Sequence, residues 1–134
     1  MAEIQTQFRA DQAPAMAATL QSPAPMDAIT QHHYENLATG KEVRHKDKRG
    51  RDMVSTVMTM QVEIDGKPTL IPSVWDGKII RDFKEATKRA IASGKKWPQR
   101  KTHEELRKLD KWIHENWSKD MSAENAKKIL SRNK

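Results

Sequence analysis

EIDGKPTLIPSVWDGK, residues 63–78, carries two Asp-Gly pairs, at 65–66 and 76–77, with an apolar run between them. A type I′ turn needs positive φ at both central residues, which Asp and Gly tolerate best, so each pair reads as a two-residue hairpin loop. Upstream, Ser55 to Ile64 alternates, with Met58, Met60, Val62 and Ile64 on one side and Val57, Thr59, Gln61 and Glu63 on the other. That is the period of a half-buried strand. The first turn pairs Ile64 with Lys67, which leaves Pro68 and Pro72 where a missing N–H points away from the first strand. Lys78 to Ile80 returns as a short third strand, with Ile80 beside Ser73. The registers conflict at Trp75, which each turn assigns to a different neighbour, so the spacing predicts a bulge or a longer loop around Val74 to Lys78.

Helices follow the hairpins. Asp82 with Glu85 forms a capping-box pair, and Phe83, Ala86, Thr87, Ala90 and Ile91 form the expected inner stripe of a helix that Gly94 closes. Thr102 with Glu105 opens a second helix with the stripe Leu106, Leu109, Ile113 and Trp117 and with Trp112 at its flank. Ser122 caps a last short helix bearing Ala126, Ile129 and Leu130. Strands followed by helices predict an α+β body in which a small antiparallel two- to three-stranded meander packs against two or three C-terminal helices. Trp75, Asp76, Gly77, Asp82, Gly94, Trp97, Thr102, Trp112 and Trp117 are its expected structural anchors.

The rest of the chain is poorer in apolar residues. Residues 1–33, rich in Ala, Gln, Met and Pro, read as an extended or disordered N-terminal arm, because Pro23 and Pro25 interrupt any helix begun near Gln12. A short helix from Ala13 to Gln21 is the one local element the arm allows. Residues 34–54 read as a basic linker and 55–132 as the body. Within the linker, KEVRHKDKRGRD, residues 41–52, has no apolar period and is expected to be a solvated loop.

With 134 residues and no cysteine, the chain has room for one core and cannot form disulfides or thiolate metal sites. No run reaches the roughly 18 apolar residues that cross a bilayer, and no cationic n-region precedes an apolar h-region, so neither a membrane partner nor a secretion signal is expected. The net charge of +7 is unevenly spread: residues 1–40 hold one Arg against four acids, and the excess of bases begins at Lys41. Two basic clusters could meet phosphates. One is Lys41, Arg44, Lys46, Lys48, Arg49 and Arg51. The other is Lys84, Lys88, Lys95, Lys96 and Arg100, where Trp97 could stack a base or could instead plug the core.

Reactive constellations are absent from the pattern. His32 and His33 are adjacent, so their side chains diverge, and His103 and His114 lie three helical turns apart, about 16 Å. Neither pair chelates one ion by local spacing, and surface or helix-end positions are expected for all four. Glu104-Glu105 and Asp82 with Glu85 are accounted for by helix caps and dipoles. With no Gly-rich phosphate loop, no Gly-x-Ser-x-Gly elbow and no Cys nucleophile, the sequence points to no catalytic residue, metal or cofactor.

Taken together, Leu70-Ile71-Pro72-Ser73-Val74-Trp75-Asp76-Gly77-Lys78, Glu85-Ala86 with Ala90, Ser93-Gly94-Lys95 with Trp97-Pro98, and Thr102-His103-Glu104-Glu105 resemble a small module of tailed bacteriophage virion proteins. It spans roughly residues 60–118, with Ser73 where Thr is commoner and Gln99-Arg100 in place of an apolar-aromatic position. The resemblance implies a structural, non-enzymatic protein of a virion, minor capsid, portal or tail associated. Its implied partners are other virion subunits in a symmetric multicopy assembly, and its place is the virion, with the host cytoplasm during assembly. The alternative is a basic protein that binds phage DNA during packaging or ejection.

Overall fold

The structure is a computed structural model that describes residues 26–132. The expected arm helix at Ala13 to Gln21 therefore lies outside the described residues. Four helices and three two-stranded antiparallel ladders follow one another as α1 (Ala28–Thr39), β1 (Val43–Lys46), β2 (Asp52–Ser55), β3 (Met60–Ile64), β4 (Lys67–Ile71), β5 (Val74–Trp75), β6 (Lys78–Ile79), α2 (Phe83–Ala92), α3 (His103–Glu115) and α4 (Ala123–Arg132). The α+β class with C-terminal helices holds.

The ladders follow the turn chemistry. Asp65 and Gly66 take φ of 55° and 76°, Asp76 and Gly77 take 53° and 76°, and Ile64 pairs with Lys67 as the first turn requires. The second turn also stays at two residues, with Trp75 opposite Lys78 and Val74 opposite Ile79. The longer loop expected around Val74 to Lys78 does not form. Instead β4 stops at Ile71, and Pro72 and Ser73 step the chain out of register before β5 begins. Val57 O accepts from both Ser73 N (2.7 Å) and Val74 N (3.2 Å), and Ser73 Oγ donates to Met58 O at 2.6 Å. The expected meander is thus three separate ladders, and the expected long strand from Ser55 is broken where Met58 takes φ of 41°.

The far edge of β4 is closed by residues 98–100. Leu70 N donates to Pro98 O (2.9 Å), Arg100 N donates to Pro68 O (3.1 Å), and Gln99 Nε2 donates to Thr69 Oγ1 (2.9 Å). Pro68 sits on this side, where only its carbonyl is called upon. Gln99 is thereby given a task that an apolar residue cannot do: it satisfies edge groups of the hairpin.

One core collects Ile29, Val57, Leu70, Ile71, Ala86, Ala90, Trp97, Leu106 and Ile113; a second joins Tyr34 and Leu37 of α1 to Ala126 of α4. Each fully buried Leu or Ile contributes roughly 1.5–3 kcal/mol. The helix caps are as the sequence predicts at Thr102, whose Oγ1 accepts from Glu105 N at 3.1 Å, and at Ser122, whose Oγ accepts from Asn125 N at 3.1 Å. Asp82 caps α2 through Lys84 N, while Glu85 turns outward to Arg89.

Four expectations are corrected. The boundary at 33/34 cuts through α1, a helix capped by Asp27 and closed by Gly40, whose Ile29, His32, His33, Tyr34, Asn36 and Leu37 are all buried. The run 41–52 is a β-hairpin, not a loop: Asp47 Oδ1 accepts from Arg49 N and Arg51 N at 2.8 and 2.9 Å, and Gly50 supplies φ of 78°. In α2 only the small residues Ala86 and Ala90 of the inner stripe are buried, because the helix lies close to its neighbours; Phe83 and Ile91 are about three-fifths exposed. Trp112, expected as an anchor, is 60% exposed on α3, while its neighbour Ile113 is buried.

Candidate functional site

The polar centre of the fold lies under α1. Successive residues of a helix point about 100° apart, so His32 and His33 reach different elements. His32 Nε2–H donates to Val74 O at 2.7 Å, with its ring 4.5 Å from Trp75 and 6.0 Å from Trp97. His33 Nδ1 meets Thr56 Oγ1 at 2.6 Å, its ring lying against Trp117. Asn36 Nδ2, one turn on, donates to Thr56 O at 2.7 Å. Burial pushes both imidazoles down, His33 to about 4. Both are neutral near pH 7, and their ring nitrogens fasten α1 to the two chain segments that flank β3 and β4. The expectation of surface or helix-end histidines is wrong for this pair, while adjacency does keep them apart as chelators. Among the described residues, no group of three or more His, Asp or Glu is placed to hold a metal ion.

The first basic cluster is spread along the β1–β2 hairpin, and four of its six members face a carboxylate. Lys46 meets Asp52 (2.6 Å), Arg51 meets Asp47 (2.7 Å), Arg44 meets Glu42 (2.8 Å) and Lys41 meets Asp76 (3.4 Å). Among the described residues, Lys48 and Arg49 at the tip have no such partner. Asp76 also takes Arg89 at 3.0 Å, and the two cations, Lys41 first, hold its carboxyl below the usual range.

The second cluster is not brought together. Lys84 and Lys88 line a shallow groove of about 560 Å3 with Phe83, beside Val62 of β3. Lys95 is paired with Glu35 of α1. Lys96 and Arg100 stand on the rim of a different groove, about 670 Å3, between α1, α3 and α4, whose walls include Met26, Thr30, Trp112, Trp117 and Ile129. Trp97 does not stack outward. It is buried, with Nε1 donating to Ala90 O at 2.8 Å.

The other anchors divide. Trp75 is half-buried with Nε1 donating to Pro72 O at 3.0 Å, and Trp117 donates to Thr30 Oγ1 at 2.8 Å. Gly94, with φ of 74°, ends α2, and Asp82 and Thr102 are caps. The polar residues His32, His33, Asn36 and Thr56 escape a search for apolar stripes. The signal that finds them is the bracket of Asp27 and Gly40, a cap and a left-handed stop twelve residues of helix apart.

No helix among the described residues is long and apolar enough to cross a membrane. Set against protein-family models, curated proteins and solved structures, the chain matches none.

Proposed function

We propose that this chain is a structural component of a tailed-phage particle, a minor capsid, portal or tail-associated protein that docks on neighbouring subunits through its outer surface and N-terminal segment. The observation that supports this reading is the employment of the residues that carry the resemblance. Asp76 and Gly77 make a turn, Thr102 and Asp82 cap helices, Ser73 bonds to Val57 and Met58 in the link between β2 and β3, and Trp97 fills the core. Such a segment is spent on building a small rigid body, and only outer faces are left to meet other molecules. Several copies around a symmetric ring or lattice would offer each face a repeated neighbour.

Docking on protein is favoured over phage DNA because four of the hairpin's six bases face a carboxylate, three of them within the hairpin itself, and the second cluster is split over separate faces. Mass spectrometry of purified particles is expected to find the chain in stoichiometric amount. Its absence from the particle overturns the proposal, and duplex binding with a log–log salt slope of several units would replace it with the nucleic-acid alternative.

A further inference from the structure

The groove between α1, α3 and α4 has a wall that also marks where the described chain begins. Met26 lines it, and Asp27, next in sequence, caps α1, so whatever precedes residue 26 leaves from the groove's own edge. Its other wall carries Trp112, a residue that is 60% exposed and belongs to neither core. An indole left open on a helix face beside apolar neighbours is the usual anchor of a docking surface.

The sequence just upstream has a matching element. Ala13, Met16, Ala17 and Leu20 fall at i, i+3, i+4 and i+7, one apolar stripe at helical spacing. Pro14 suits a first helical turn, and Pro23 follows the stripe as a stop. Gln21 to Pro25 leaves a tether that spans at most roughly 18 Å when extended, against a helix diameter of about 10–12 Å. That tether is long enough to turn back over the groove and short enough to hold the stripe near it at an effective concentration in the millimolar range. Lys96 and Arg100 on the rim suit a segment that carries Glu3 and Asp11 against the single Arg9.

We propose that the groove between α1, α3 and α4 is the seat of this chain's own N-terminal segment, docked through Met16 and Leu20 over Trp112 as a helix laid in a groove. The inference stands apart from the virion reading, since it concerns the free chain. In an assembly, exchange of the same segment onto a neighbour's groove would convert an internal contact into one between subunits.

The test is low-dose hydroxyl-radical labelling of the full chain, with oxidation of Trp112 read by mass spectrometry and buried Trp97 as the internal control. Trp112 is expected to react several-fold more slowly in the parent than in the Met16→Ser, Leu20→Ser double variant, at every protein concentration, while Trp97 stays slow in both. Equal Trp112 rates in parent and variant overturn the proposal. So does protection that appears only as concentration rises, because the segment would then come from a second copy. The presence or absence of the chain in particles leaves this result unmoved, so the two proposals fail separately.

Discussion

The imidazole of His33 lies flat on the indole of Trp117, ring centroids 3.7 Å apart and planes 10° from parallel. Trp117 also touches the ring of His114 at 4.4 Å. The stack joins α1 to the end of α3 and places a titratable ring in the interior without a carboxylate among its polar contacts. His33 Nε2 finds no hydrogen-bond partner among the described residues.

Stability should therefore fall on mild acidification. An unfolded His takes up its proton near 6.5, whereas burial, with a smaller push from His114, holds His33 down to about 4. Between those values the unfolded chain binds more protons, so its contribution is complete above 6.5 and is lost as pH drops. From about pH 7.5 to about pH 5 the loss at this residue is about 2 kcal/mol. His32 acts in the same direction. His114 acts oppositely, because its bond to Asp110 raises it, so its contribution is complete below 6.5 and fades as pH rises through the higher folded value. Urea unfolding across this range should show a shallower pH slope for His33→Phe than for the parent; identical slopes would rule His33 out.

Adjacent residues of α2 should invert the usual size rule. Ala90 is fully buried and Ile91 is 59% exposed. Ala90→Leu is expected to cost roughly 1–3 kcal/mol by overpacking, while Ile91→Ala should stay within about 0.5 kcal/mol. Thermal or denaturant unfolding decides it, and a larger loss at Ile91 than at Ala90 would mean that the helix is turned the other way.

Trp97 should behave as a core residue with a polar duty. Trp97→Ala is expected to cost about 3–5 kcal/mol. Trp97→Phe, which keeps most of the ring but abandons the bond to Ala90 O, should cost clearly less. Equal losses would show that the hydrogen bond, not the filled volume, sets the energy.

The first hairpin turn gives a conformational test. Asp65, at φ of 55°, is expected to tolerate Gly within about 0.5 kcal/mol and to lose roughly 1–2 kcal/mol as Asp65→Val, whose β-branched side chain resists the left-handed region. Denaturation midpoints measure both changes.

How much of this was legible depended on whether the signal was local. Asp65-Gly66, Asp76-Gly77, Thr102 and Ser122 each act within four residues, and a reader of the sequence can place them. The turn of β1–β2 is local too, but Asp47 and Gly50 are hidden in a run whose charges read as solvated, and the acids that neutralise Lys46 and Arg51 are seen only once the strands fold together. Helix α1 escapes a search for apolar stripes for a different reason: His32, His33 and Asn36 interrupt the buried Ile29, Tyr34 and Leu37, so its inward face shows no continuous apolar stripe. The exposure of Ile91 and Trp112 is a tertiary outcome, because each sits beside a smaller residue, Ala90 and Ile113, that is the one buried. Of the candidate basic clusters, sequence position predicts the first as a unit; the second was scattered by the path of the loop between α2 and α3.

Trp117 Nε1 donates to Thr30 across 87 positions of sequence, and Ser118 N donates to the Tyr34 hydroxyl across 84. During synthesis, α1 leaves the ribosome long before either partner exists. His32 and His33 can meet Val74 and Thr56 earlier, but Tyr34 and Leu37 must wait uncovered until Ala126 has emerged. Closing so long a loop is slow compared with forming a hairpin, so the order of translation runs against the order of packing here, and the face of α1 that meets α4 stays open to aggregation until then.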